Sequence, residues 1–109
     1  MKSKKIRLDF SKVNTLEEMH LMLKNTFGFP DFYGSNVNAL IDCLSSIRYP
    51  EDGMSHVILD SVDDYLILEL KNFSNRDKFI INHFLTSIEG VNEKNKFINT
   101  EASIHLILI

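Results

Sequence analysis

The chain has 109 residues, 44% hydrophobic and 25% charged, an ordinary balance for a single domain, 1–109, that buries its core without disulfide staples. Its one cysteine, Cys43, excludes an intramolecular disulfide, and neither a signal-type apolar segment nor a run of membrane-spanning length is visible, so the expected setting is cytoplasmic and away from membranes. The net charge of −3 divides unevenly: residues 1–12 hold five basic groups against one acid, and the remainder holds seven against fourteen, a body that repels nucleic-acid phosphates and attracts basic partners.

In chain order, Ile6, Leu8 and Phe10 alternate with charged residues, the period of a half-solvated strand. Thr15 and Glu18 are spaced as a capping box, with a helical stripe of Leu16, Met19, Leu23 and Phe27 behind them and Gly28 placed to end it. Pro30 restricts the connection, Gly34 is expected to permit an unusual backbone there, and Ser35 or Asn36 caps a second helix. Val37, Leu40, Ile41 and Leu44 form its core face, while Asn38, Asp42 and Ser45 fall on another.

Pro50 and Gly53 mark a loop. Residues 57–59 and 65–70 read as a hairpin, the second run being apolar enough for a strand covered on both faces. A third helix starts at Ser74 or Asn75, carries Phe79, Ile80, His83, Phe84 and Ile88, and closes at Gly90; residues 91–96 then loop to a final buried strand at 103–109. The order predicts an α/β domain of parallel strands joined by helical crossovers.

No assembled active site follows from these residues. Cys43 sits beside a helical core stripe, as a structural thiol does, and the four histidines are scattered singly, so neither a nucleophilic pair nor a metal site is indicated. Asp63 and Asp64 are adjacent on a turn, where carboxylates face solvent, and the isolated glycines form no phosphate cradle. The expectation is a protein that is not an enzyme, holds no cofactor or metal, and has no direct nucleic-acid contact.

Residues 32–44 (FYGSNVNALIDCL) resemble the signature of the barstar family, intracellular inhibitors of the secreted ribonuclease barnase. A weaker match, LILELKNF at 66–73, resembles the family's second strand and the segment leaving it. The resemblance implies a three-stranded parallel sheet packed by helices, here with an expanded loop at 49–64 in which residues 56–60 could add an antiparallel strand. It also implies a turn and helix that plug a ribonuclease active site, the aspartate matching Asp42 standing where RNA phosphate would bind and meeting basic and histidine side chains. Phe32, Tyr33 and Gly34 would form the aromatic lip, with Asn36 and Val37 beside it and Ser45 and Ser46 continuing beyond the anchor.

Asn38 replaces an acid of the family pattern, and Ile41 replaces a tryptophan. Asp60, Asp63 and Asp64 are therefore expected to supply replacement contacts, with Glu89 a candidate on the third helix. The leading expectation is a monomeric immunity protein against a basic ribonuclease toxin. The alternative is a barstar-like module whose partner is not a nuclease.

Overall fold

A computed structural model describes residues 2–61, 63–97 and 103–109. Its elements in chain order are β1 (Ser3–Asp9), α1 (Leu16–Phe27), α2 (Val37–Ser45), β2 (Tyr65–Lys71), α3 (Lys78–Phe97) and β3 (Ile104–Leu108), with two 3-10 turns, Ser46–Arg48 and Pro50–Asp52, after α2. The strands form one parallel sheet in the order β1-β2-β3, with Leu8 beside Leu70 and Leu68 beside Leu106. This is the α/β architecture the sequence leads one to expect.

The period of two along β2 decides which way the sheet faces. Leu66, Leu68 and Leu70 are buried with Leu8 and Ile104, whereas Tyr65, Ile67 and Glu69 are only half-buried. The expectation of a strand covered on both faces is therefore corrected: one face is packed by helices and the other remains open. On that open face Arg7 Nη2 lies 3.8 Å from Glu69 Oε1, and the Tyr65 and His105 rings meet edge to face at 4.9 Å.

Helix α1 begins as its sequence suggests, with Thr15 Oγ1 accepting the Glu18 N–H at 3.1 Å. Glu18 departs from a reciprocal box: its Oε1 accepts from the Asn14 N–H and the Thr15 hydroxyl, both at 3.2 Å. Met19, His20, Leu23 and Phe27 point inward, and Gly28 closes the helix in the left-handed region with φ 71°. The His56 ring rests so closely on Gly28 that a Cβ there would lie 2.3 Å from Nδ1.

Among its described residues the expanded loop forms no hairpin and no fourth strand. Residues 56–60 are irregular, held by His56 N–H to Phe27 O and Leu59 N–H to Ile47 O, both 2.7 Å. Buried Arg48 ties this region to the sheet, donating from Nε to Ser103 Oγ at 2.7 Å and from Nη2 to Asp64 O at 2.9 Å. These bonds give the polar groups they join the partners that strand pairing would otherwise supply.

Helix α3 corrects two boundaries. It starts at Lys78 rather than at Ser74 or Asn75, and it runs through Gly90 to Phe97, so residues 91–96 are helical instead of looped. Gly90 is a packing position: a Cβ there would lie 2.5 Å from Ile41 Cδ1, so its absence lets α2 and α3 approach. Asn92 bonds both backbone groups of Ile104, at 2.9 and 3.0 Å, fastening α3 to the start of β3. Among the described residues no helix is long and apolar enough to cross a membrane.

Candidate partner-binding site

The turn before α2 is built from the inside outward. Phe27 and Phe29 stack with centroids 5.6 Å apart, Phe29 meets Tyr33 at 5.0 Å, and the Tyr33 N–H donates to Pro30 O at 3.0 Å. Tyr33 is buried, and its hydroxyl bonds His20 Nδ1; His20 Nε2 lies 3.0 Å from His83 Nε2. One ring must donate to the other, so at least one of the two imidazoles is neutral in this arrangement. Burial, reinforced by the His83 charge, pulls the His20 pKa down to about 4, and burial lowers that of His83 as well. Burial also raises the Tyr33 pKa, so the phenol keeps its proton.

The sequence shows no reason for two histidines 63 positions apart to meet; packing of α3 beside α1 makes the pair. Phe32 is displaced outward by the same turn and is 76% exposed. The expected aromatic lip is therefore split: Phe32 is available to a partner, and Tyr33 is an internal brace.

The backbone at the turn's end also differs from expectation. Gly34 has no positive φ, and a Cβ on it would meet Asn36 Nδ2 at 3.4 Å and Ala39 Cβ at 3.5 Å, ordinary contacts. Ser35 takes the left-handed conformation instead, with φ 53°. Asn36 is the cap of α2, its Oδ1 accepting the Ala39 N–H at 2.8 Å.

Leu40, Cys43 and Leu44 bury the inner face of α2, and full burial of each leucine contributes about 1.5–3 kcal/mol. Val37 and Ile41 are half-buried, Ile41 engaged with Gly90. Burial, with the Asp42 charge behind it, pushes the Cys43 thiol up to about 11, so it stays protonated and non-nucleophilic at neutral pH.

On the outer face Asn38 and Asp42 are exposed one turn apart. The Asp42 side chain is 68% accessible although it occupies the last turn of α2, where the carbonyl end of the helix dipole disfavours an anion. Lys94 on α3 brings Nζ to 3.6 Å from Asp42 Oδ1.

Ser45 and Ser46 are buried, their hydroxyls donating to Ile41 O at 2.6 Å and Cys43 O at 2.7 Å. Both lie under a groove whose other walls are Asp42, Tyr49, Asp52 and Lys94. Of the loop acids, Asp60 and Asp63 are exposed, but Asp64 is buried and accepts the Lys2 N–H at 2.9 Å. Asp60 and Asp64 line a separate groove with Lys2, Ser3 and Lys4. The acid of the expansion that stands beside Asp42 is Asp52, which the sequence alone did not single out. Glu89 is exposed on α3, but the residue of that helix that reaches Asp42 is Lys94.

The sequence matches the family model described as Barstar (barnase inhibitor) over residues 3–97. It is similar to a Bacillus subtilis (strain 168) protein described as "Putative ribonuclease inhibitor YrdF", with 31% identity over 101 residues that cover 93% of this chain and 96% of the relative. With the match running from the first residue of β1 to the last of α3, through the turn and the helix that carries Asp42, this chain belongs to the Barstar family.

Proposed function

We propose that this protein inhibits a ribonuclease by seating residues 32–46 over its active site, with Asp42 taking the position of an RNA phosphate. Asp42 carries the reading. It is an accessible carboxylate on a capped helix whose opposite face is locked into the core, and the helix dipole works against it. A rigid anion of this kind suits side chains already arranged to bind phosphate, because charge-assisted bonds form with little reorganisation of either partner.

Phe32, Gly34 and Asn38 are the accessible neighbours that would touch the enzyme; Tyr33, Ser45 and Ser46 hold the turn and helix in shape from beneath. The Barstar family and the Bacillus subtilis relative, by their descriptions, support the inhibitor role. The same reading makes the protein a cytoplasmic, monomeric immunity factor that protects a cell from a basic ribonuclease toxin, as a single domain with no catalysis of its own.

The direct test is capture of the bound partner with the tagged chain, followed by assay of the partner on RNA. The expected partner degrades RNA when separated and stops at one equivalent of this protein, and a mononucleotide that occupies its active site weakens the binding of the two proteins. A partner without ribonuclease activity would overturn the reading.

A further inference from the structure

Lys94 places a cation inside the face where an acidic inhibitor is expected to be uniformly negative. Its Nζ lies 3.6 Å from Asp42 Oδ1, and its side chain is 52% exposed, so the charge is open to whatever approaches Asp42. Its position follows from the α2–α3 seam. Gly90 admits Ile41, and Lys94, one helical turn later on the same face of α3, is thereby carried to Asp42. Both partners of the ion pair are well solvated, so the pair adds little to folding. Lys94 also completes the last turn of α3, a role that any cation there could fill.

We infer that Lys94 is a specificity-determining residue: it sets a bipolar face, anion at Asp42 and cation beside it, that selects a nuclease carrying a carboxylate opposite Lys94 and rejects one that is cationic throughout. The inference rests on the proposed docking of Asp42 and adds the charge pattern of the partner. An approaching cation that pairs with Asp42 stands roughly 6–7 Å from Lys94, near enough for like charges to repel measurably at low salt. It must also displace the intramolecular pair. A partner with a carboxylate at the second position meets neither cost, because that carboxylate takes Lys94 as its own counter-ion. Discrimination then comes from a repulsive group as much as from an attractive one.

The test uses barnase as a cationic probe and this chain in five forms: wild type, Asp42→Ala, Lys94→Ala, Lys94→Glu, and Lys94→Glu with Asp42→Ala. Inhibition constants are read at two salt concentrations, and thermal midpoints verify that each form is folded. Lys94→Ala is expected to tighten inhibition about fivefold and Lys94→Glu about tenfold or more at low salt, with the gain shrinking as salt rises. Adding Asp42→Ala should abolish the gain.

If the Lys94 series is flat, whether inhibition is strong or undetectable throughout, or if Lys94→Ala weakens inhibition, the inference is overturned. A flat Lys94 series with a large loss from Asp42→Ala in the wild-type background removes the role of Lys94 and leaves the docking intact. A gain from Lys94→Glu that survives Asp42→Ala removes the docking instead.

Discussion

Acidification should loosen the binding turn before it unfolds the domain, and the effect can be worked from His20. In the unfolded chain its pKa is about 6.5; in the fold, burial and the neighbouring His83 depress it to about 4. The folded state therefore binds the proton less readily than the unfolded state. Its stabilising contribution is complete above pH 6.5, falls as pH drops, and is exhausted near pH 4. At about 1.4 kcal/mol per pH unit, the interval corresponds to at most about 3 kcal/mol. The shift of His83 has the same sign and falls in the same direction.

A first proton can be accommodated, because a cationic His20 can still donate to both Tyr33 and His83. A second places two ring N–H groups face to face, and the bridge must open. Denaturant unfolding of wild type and His20→Gln from pH 7.5 to 4.5 measures the effect as the difference in slope of stability against pH. Proton NMR of the imidazoles reports the titration directly. A His20 that titrates near 6.5, or equal slopes for the two proteins, would refute the reasoning.

Other substitutions test the supports of the site. Gly90→Ala should be nearly neutral, since helix propensity offsets a shift of the flexible Ile41 tip, whereas Gly90→Leu should cost about 1–3 kcal/mol by forcing α2 from α3; denaturant midpoints distinguish them. Gly28→Ala should destabilise by about 1–3 kcal/mol, through positive φ and collision with His56, and His56→Ala should recover part of that loss in a double-mutant cycle. Ser35→Gly should stabilise by up to about 1 kcal/mol by relieving the left-handed serine, while Gly34→Ala should be tolerated, the reverse of what the glycine's presence in the motif suggests.

The legible parts of the fold were those set by local periodicity. Alternation of Ile6 and Leu8 marked β1, and the stripe of Met19, Leu23 and Phe27 marked α1. Residues 32–44 carried the family resemblance and placed Asp42 on the accessible side of α2. The errors arose where a residue's role is decided across the chain. Gly90 looked like a helix end because local rules cannot register Ile41 pressing on it from another helix. Residues 57–59 looked like a strand because their burial comes from packing on the core and from bonds to Ile47, without any strand pairing.

Side-chain direction was similarly out of reach. Tyr33 is adjacent to exposed Phe32, yet the Pro30 turn sends it inward to His20. Ser45 lies on the polar side of the helical repeat but spends its hydroxyl on Ile41 O. Nothing in the order of residues brings Lys94 to Asp42; that proximity belongs to the seam between α2 and α3.

Asp42 tests the central claim most directly. Titrating the partner ribonuclease with wild type and Asp42→Ala, alongside denaturant unfolding of both, separates binding from folding. The account predicts a loss of affinity of at least about 100-fold, with the unfolding midpoint unchanged or slightly raised because an anion has left the carbonyl end of α2. Equal inhibition by the two proteins would contradict it.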